Sequence, residues 1–180
     1  MANEISITVQ DKTKGVPPQQ ILAAVNALSE IHLYVGIPEK NAENGKAMNN
    51  VQLAYLHSQG SPVNNMPARP FIEPAIEQEK VLEKITDCFG QAFEAALTGD
   101  LGLAKNCIEK AGIYGSNAVK EYMGSGALAP NAPITVSGGW MRNKVSGKPF
   151  KVTGKGSTAP LIDTGSLRSA VTYVIKEGGE

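Results

Sequence analysis

The side chains that most often carry out catalysis are sparse in this chain and fall outside the usual motifs. The 180 residues include two histidines, His32 and His57, and two cysteines, Cys88 and Cys107. The serines form no Gly-x-Ser-x-Gly elbow, and the histidines form no His-Glu-x-x-His zinc pair. The histidines fall in different predicted elements, and both cysteines fall inside helical patterns, so we interpret all four as packing residues. The sequence therefore predicts no enzymatic activity, no metal and no cofactor.

Two Gly-Lys pairs match only part of a phosphate-binding loop. In Ser146-Gly147-Lys148-Pro149, a proline follows the lysine where a magnesium-binding Ser or Thr is expected. In Gly154-Lys155-Gly156-Ser157, a glycine occupies that position. Both pairs also lack the glycine that should stand five residues before the Gly-Lys pair. The sequence therefore argues against nucleotide binding by a phosphate-binding loop.

A proline-punctuated run from Met66 to Phe71 presents two side chains in a fixed geometry. Pro67 and Pro70 fix their own φ and push the preceding residues into extended conformations. Arg69 therefore lies on a stiff, non-helical arm, and its planar guanidinium suits oriented pairing. We expect Arg69 to make a salt bridge or a backbone contact, either within the subunit or with a neighbour. Phe71 has two interpretations: it fills a gap in the core, or it docks with the arm against another surface.

The charged residues separate into a basic segment and an acidic helix, although the formal net charge is zero. The segment 124–159 contains no acidic residue. Its basic residues are Arg142, Lys144, Lys148, Lys151 and Lys155, and its large apolar residues include Trp140, Met141 and Phe150. The long predicted helix carries Glu73, Glu77, Glu79, Glu83, Asp87 and Glu94.

Three interpretations of this charge separation remain open. The basic segment is a solvated flexible loop, or it lies on the acidic helix of the next subunit in a ring. In the third interpretation, the segment faces DNA that passes through a channel, with Trp140 and Phe150 as the interleaved aromatic residues. The zero net charge argues against a nucleic-acid binder that is driven by overall charge.

The first third of the chain alternates between strand and helix patterns. Ile5, Ile7 and Val9 alternate with polar residues, which predicts a half-buried strand. Pro18 opens a predicted helix, and 31–37 reads as a second strand. Residues 39–50 are polar and predict a mobile loop. The short helix that follows stops at Gly60, where a Gly-Ser-Pro turn begins.

Two long helices and a segment rich in glycine, proline and lysine follow. Residues 73–97 have a helical period over about six turns, and Asp100 caps a second helix that continues to Tyr122. The segment 124–159 has no helical period, and we interpret it as a folded-back loop or hairpin that is flexible or orders on a partner. Within it, 133–136 and 151–152 are predicted short strands.

The C-terminal part contains a turn and a last strand. Asp163 and Gly165 fall in a turn by local chemistry, because Asp accepts backbone bonds and Gly permits positive φ. Residues 167–175 then form a predicted strand. The sequence thus predicts one α+β domain over 1–180, with a small, mostly antiparallel sheet on one long helix and a second helix. The strands of this sheet come from 4–10, 31–37, 166–175 and a strand of the loop. No apolar run approaches the roughly 20 residues of a membrane span.

Two runs resemble a family of tailed-phage virion morphogenesis proteins, the neck and tail-completion proteins. Pro67-Ala68-Arg69-Pro70-Phe71 stands in place of that family's Pro-Ala-Arg-Pro-Phe run. Pro160 to Leu167, with the sequence Pro-Leu-Ile-Asp-Thr-Gly-Ser-Leu, stands in place of its C-terminal run. The chain departs from the family pattern at the turn that ends in Gly60 and at Glu73, where a basic residue is usual.

This resemblance implies a structural virion protein that acts at the head–tail junction or in tail completion. It implies a ring of six or twelve copies, assembled in the host cytoplasm and docked to other neck, connector or tail proteins. Contact with DNA would be passive, and no membrane is involved. The expected interface residues are Pro67, Arg69, Phe71, Trp140, Arg142, Lys144, Lys148, Lys151 and Lys155, and the expected turn residues are Gly60, Asp163 and Gly165. The alternatives are a DNA-binding accessory protein of the neck channel and a small enzyme.

Overall fold

The described part of the structure, a computed structural model, is residues 16–43, 45, 48–62, 66–143, 146–158, 160–161 and 165–178. Within these ranges the chain forms seven α-helices, one 3-10 turn and two two-stranded antiparallel sheets. The predicted α+β class, with strands packed against long helices, is confirmed. The strand predicted around Ile5, Ile7 and Val9 lies outside the described residues.

The bounds of the elements are as follows. The helices are α1 (Pro18–Ser29), α2 (Asn50–Gln59), α3 (Glu73–Ile76), α4 (Glu79–Leu97), α5 (Leu101–Gly124), α6 (Pro133–Ser137) and α7 (Ser166–Ala170). The strands are β1 (Ile31–Gly36), β2 (Gly139–Arg142), β3 (Pro149–Val152) and β4 (Thr172–Glu177). The 3-10 turn spans Glu39–Asn41.

The helix α5 is the central element of the fold. It packs along α4 as an antiparallel helical pair, and it also contacts α3, β1, β4 and α7. Its N-terminus is capped by Asp100, whose carboxylate accepts a hydrogen bond from the backbone N–H of Leu103 at 2.8 Å. The strands β1 and β4 pair antiparallel, with Ile31 opposite Glu177 and Gly36 opposite Thr172. The resulting ribbon lies on α5.

The ribbon approaches α5 closely because α5 has glycines at the contact. A Cβ atom at Gly112 would lie 2.4 Å from Cδ2 of Tyr173, and one at Gly115 would lie 3.0 Å from Cγ2 of Val35. Side chains of both strands therefore occupy the space that any larger residue on α5 would need. These two glycines weaken the helix intrinsically, and the packing of the ribbon compensates for that weakness.

Buried side chains form two clusters along the helical pair. The first cluster joins α1 to α4 and α5, with Ala24, Ala92 and Ile108 at its centre. The second cluster is built around Phe71 and Val119, and it includes Leu167 and Val171 near the C-terminus. Both clusters use α5, so this helix connects the two halves of the core.

The long helix predicted at 73–97 is divided into α3 and α4, which corrects the prediction. Gln78 is extended, with φ −61° and ψ 127°, and it is the N-cap residue that precedes α4. Ile76 and Ile85 both lie near Gly115 on α5. In one continuous helix, Ile76 and Ile85 would be nine positions apart and would therefore point in opposite directions, about 180° from each other. The break therefore lets the apolar side chains of both helices face α5.

One predicted strand and the start of another are helical, for local reasons. Residues 133–136 were predicted as a strand, but Pro133 starts the helix α6, and Gly138 follows it with a positive φ of 74°. Proline at the start and glycine after the end are the usual bounds of a helix. The last strand was predicted from Leu167, but it begins at Thr172. Before it, one turn of α7 buries Leu167 and Ala170, which share a face at a spacing of three.

The segment 124–159 contains a hairpin, as one interpretation predicted. The strands β2 and β3 pair antiparallel, which confirms the predicted strand at 151–152. This hairpin forms a sheet of its own and does not join β1 and β4, so the prediction that a loop strand completes their sheet is wrong. The predicted ordering of the segment on a partner stays a prediction.

The polar stretch 39–50 is more ordered at its ends than predicted. The backbone N–H of Asn50 donates to the carbonyl of Ala42 at 2.7 Å. The side chain of Asn50, which is buried, donates to the carbonyl of Asn41, and the side chain of Asn41 donates to the carbonyl of Ala170. Buried polar groups are stable when they are paired in this way. These bonds attach the stretch to α7.

The contact between α5 and the ribbon predicts opposite effects for two glycine substitutions. Gly112→Ala places a methyl group against the ring of Tyr173, and overpacking of this kind costs about 1–3 kcal/mol. We therefore expect the free energy of unfolding to fall by about 1 kcal/mol or more. Gly90→Ala in α4 meets no atom within 4 Å, so the better helix propensity of alanine should raise that free energy by up to about 1 kcal/mol. Urea denaturation measures both, and equal stabilisation by both would contradict the proposed packing.

Candidate functional site

The arm between α2 and α3 begins at a turn that requires glycine. Gly60 follows α2 with a φ of 71°. A Cβ atom there would lie 2.6 Å from the backbone nitrogen of Ala68 and 2.8 Å from the carbonyl oxygen of Met66. Ser61 and Met66 exchange two backbone hydrogen bonds of 2.9 Å. The turn predicted at Gly60 thus folds the arm tightly back on the end of α2.

Arg69 connects the arm to the base of the segment 124–159. Its side chain is 6% exposed, and its Nε and Nη2 donate to the carbonyls of Ala129 and Pro130 at 2.6 and 2.9 Å. Its backbone N–H donates to the carbonyl of His57 at 2.7 Å. Of the contacts that the sequence left open for Arg69, the structure shows a backbone contact within the subunit. Two charge-assisted bonds from one planar group fix the direction in which the segment leaves the core.

A second connection closes the base of the same segment. The backbone N–H of Asn131 donates to the carbonyl of Thr158 at 3.0 Å, and its side chain donates to the carbonyl of Ser157 at 3.2 Å. Residues at the two ends of the segment are therefore tied to each other. Together with Arg69, these bonds form what we call the base clamp: Arg69 with residues 129–131 and 157–158.

His57 lies half-buried beside the base clamp. Its Nδ1 atom is buried and has no hydrogen-bond partner among the described residues. Burial lowers the pKa of His57 below its usual value of 6.5, and the positive charges of Arg69 and Lys155 lower this pKa further. The imidazole is therefore neutral at pH 7 in the folded chain.

Residues of the runs 67–71 and 160–167 meet in one core cluster. Phe71 has no exposed surface and packs in the second cluster with Leu167. Leu161, from the same C-terminal run, packs against this cluster. The geometry thus assigns Phe71 to the core, which was one of its two interpretations, while Pro67 is exposed on the arm.

The hairpin of β2 and β3 is exposed on both faces. Met141 lies opposite Phe150, and these residues share one face of the ribbon because side chains alternate along a strand. Trp140 lies opposite Lys151 on the other face, together with Arg142. Trp140 is 71% exposed, and Met141 and Phe150 are more than 40% exposed. One face of the hairpin is therefore apolar and the other is aromatic and basic.

The remaining predicted site residues fall at several places. Lys148 is exposed just before β3, and Lys155 is exposed beyond the hairpin, close enough to His57 to influence its pKa. Gly165 has a φ of 75° and precedes α7, in agreement with the predicted turn. Lys144 and Asp163 lie outside the described residues. The hairpin thus brings together Trp140, Arg142 and Lys151, whereas Arg69 and Phe71 lie in the interior.

A groove of about 550 Å³ lies between β1 and the pair α3–α4. Apolar side chains line most of it, among them Leu33 of β1, Ile76 of α3, and Ile85 and Phe89 of α4. Its acidic lining residues are Glu73 and Glu77, and His32 also contributes. We call this feature the β1–α4 groove. It combines an apolar floor with negative charge.

Sequence reasoning did not identify the β1–α4 groove. Ile85 and Phe89 belong to the apolar stripe of the long predicted helix, which has to pack on a sheet or on neighbouring subunits, and Phe89 is 41% exposed in the subunit. Leu82, two turns before Phe89 on α4, is 45% exposed, so the stripe continues beyond the groove. The sequence feature that could have indicated this groove is the length of the apolar stripe, because the predicted small sheet is too short to cover all of it.

In the described part of the chain, no set of three or more His, Cys, Asp or Glu residues is arranged to hold a metal ion. No helix in this part is long and apolar enough to span a bilayer. Comparisons with protein-family models, with curated proteins and with solved structures found no match to this chain.

Arg69→Ala tests the base clamp. The substitution leaves two carbonyls, those of Ala129 and Pro130, without their charged donor, and each such bond contributes about 1.5–3 kcal/mol. We expect a lower free energy of unfolding and faster proteolysis within 124–159. Arg69→Lys is the matched control for charge, and it should restore only part of the protection because an ammonium group lacks the planar fork. Unchanged proteolysis in Arg69→Ala would contradict the clamp.

The lowered pKa of His57 predicts a pH dependence of stability. The unfolded chain takes up a proton near pH 6.5, whereas the folded chain resists protonation until a lower pH. The contribution of His57 to the free energy of unfolding should therefore be fully present above pH 6.5, and it should be lost as the pH falls below this value. His57→Gln should remove this slope between about pH 7.5 and 5.5. Urea denaturation at several pH values provides the measurement, and an unaltered slope in His57→Gln would disprove the assignment.

Proposed function

We propose that this chain is a structural protein that works by assembling with copies of itself through the β2–β3 hairpin. The observation that carries the proposal is a two-stranded ribbon exposed on both faces, with Met141 and Phe150 on one and Trp140 on the other. An isolated two-stranded hairpin is marginally stable in water. Covering its apolar face with a partner would stabilise it, as at other interfaces that are centred on aromatic side chains.

The base clamp makes the hairpin suitable for docking. Arg69 and Asn131 hold the two ends of the segment against the core, so the hairpin leaves the subunit in a defined direction. A presented element that is already ordered loses less conformational entropy when it binds. This supports binding by shape and charge, with no chemical step in the mechanism.

We further propose that the assembly belongs to a tailed-phage virion, at the neck or in tail completion. This part rests on the resemblance carried by Pro67–Phe71 and Pro160–Leu167. It gains support from the finding that residues of both runs, Phe71 and Leu167, pack in one cluster. Two runs about 90 residues apart that build one core form a single structural unit. The expected assembly is a closed ring of six or twelve copies, docked to other neck, connector or tail proteins.

One observation favours DNA binding as a second candidate. The face that carries Trp140 also carries Arg142 and Lys151, which combines a stacking surface with two cations. In a neck channel that conducts DNA, this face of the hairpin would lie along the path of the DNA. Affinity for DNA that falls steeply with salt would support this candidate, and affinity independent of salt would exclude it.

A substitution at Phe150 tests the assembly proposal. Phe150→Ala should weaken self-association at least tenfold, which corresponds to about 1.4 kcal/mol, because it removes the aromatic side chain from the apolar face that a partner would cover. Its melting temperature should change little, since the side chain is 45% exposed in the subunit. Ile113→Ala is a matched control, because Ile113 in α5 is 44% exposed. Sedimentation velocity gives the association, and electron microscopy shows whether the wild-type chain forms rings. A wild-type chain that remains monomeric at high concentration would refute the proposal.

A further inference from the structure

We propose that the β2–β3 hairpin of one copy occupies the β1–α4 groove of a neighbouring copy. This inference rests on the proposed self-association and identifies the surface that receives the hairpin. It is drawn from three properties of the groove and hairpin: a strand edge unpaired among the described residues, an apolar floor, and opposite charges. None of the three requires a catalytic group.

The first property is the edge of β1 that no described strand pairs with. This strand pairs with β4 on one side, and no described strand pairs with its other side, which faces the groove. An unpaired edge offers backbone N–H and C=O groups to a further strand. β1 has six residues and spans about 20 Å, whereas β3 has four residues and spans about 13 Å. The hairpin strand therefore fits within the length of the open edge.

The second property is the apolar surface on both partners. Ile85 and Phe89 line the groove, and Phe89 keeps 41% of its surface exposed. On the hairpin, Met141 and Phe150 form one apolar face and are 41% and 45% exposed. Joining these surfaces would remove apolar area from water on both sides, which is favourable in proportion to the area buried.

The third property is charge complementarity. Glu73 and Glu77 line the groove, and the hairpin carries Arg142, Lys148 and Lys151 without any acidic residue between 124 and 159. Among the lysines of α4, Lys84 is directed to the ring of Tyr114, with Nζ 5.6 Å from the ring centroid. Its charge thus lies on a different side of α4, where Tyr114 lines a separate cavity. The groove therefore attracts a basic ribbon.

The hairpin that occupies the β1–α4 groove has to come from another copy of the chain. Among the described elements, β2 and β3 pack extensively only against each other, so the hairpin does not lie on the β1–α4 groove of its own subunit. A contact in which one surface patch of a subunit binds a different patch of the next is heterologous, and it closes into a ring when the rotation allows. The inferred contact therefore generates the kind of assembly that was proposed above.

Cross-linking between two single-cysteine chains tests this contact. Tyr34→Cys in β1 and Lys151→Cys in the hairpin are mixed as separate full-length chains and treated with a short bis-maleimide. We expect a mixed dimer at a yield at least tenfold above that of Leu103→Cys mixed with Lys151→Cys. Leu103 in α5 is exposed to a similar degree as Tyr34, at 48% against 52%, and it does not line the groove. The native Cys88 and Cys107 are buried, and the wild-type chain gives the background.

A charge exchange provides the second measurement. Glu73→Lys with Glu77→Lys in one chain should weaken self-association, and so should Lys148→Glu with Lys151→Glu in another. Mixing the two variants should restore mixed association, because each groove then meets a hairpin of opposite charge. Sedimentation velocity at low salt detects these changes, since salt screens exposed charges.

The outcomes separate this inference from the proposed function. If the hairpin variant loses self-association and the groove variant keeps it, the assembly proposal stands and the β1–α4 groove is not the acceptor. If neither variant changes self-association, charge does not direct the contact and the inference fails, while the assembly proposal is decided by the substitution on the apolar face. A within-chain cross-link between Ile7→Cys and Tyr34→Cys, without the mixed dimer, would show that the N-terminal segment occupies the groove, and the inference would be overturned. A monomeric wild-type chain would overturn it as well.

Discussion

The fold depends on the close packing of a two-stranded ribbon on one glycine-containing helix. A ribbon of two strands is barely stable alone, and β1 and β4 are held because Gly112 and Gly115 let them approach the backbone of α5. The same helix supports α4, which in turn supports α1, and it carries Val119 and Met123 into the second core cluster. Since both clusters meet on α5, a change in its small residues reaches the groove, the arm and the C-terminal strand together.

The second determinant is the pair of bonds from Arg69 to the carbonyls of residues 129 and 130. An arginine buried in a protein interior usually pairs with a carboxylate, but here backbone carbonyls accept its hydrogen bonds. The arm is itself fixed by the turn at Gly60 and by the packing of Phe71. The core therefore determines where the hairpin begins, although the hairpin contributes little to the core. The base of the segment 124–159 is thus held against the core by Arg69, while the hairpin beyond it is exposed.

Periodicity was sufficient to predict α1, α2, α4 and α5, the strand at β1 and the α+β class. It failed where the residues at the ends of a segment, or its packing against α5, decide the structure. The short apolar run at 133–136 is compatible with a strand or a helix, and the flanking Pro133 and Gly138 decide for the helix. The break before α4 has no proline or glycine, so only the requirement that Ile76 and Ile85 both face α5 reveals it. The special residue Arg69 could be recognised from the proline spacing, whereas its carbonyl acceptors lie 60 residues away. The β1–α4 groove depends on how separate elements meet, which no local pattern encodes.

The base clamp also affects how this protein can diverge. Since residues 129–131 and 157–158 are already joined, the chain between them closes on itself, and extra residues at its tip would cost only about 0.6 kcal/mol for each doubling of length. Insertions, deletions and changes of charge at the tip would leave the interior undisturbed. Divergent relatives of this chain would thus alter the length and the binding specificity of this projection while the scaffold stays the same.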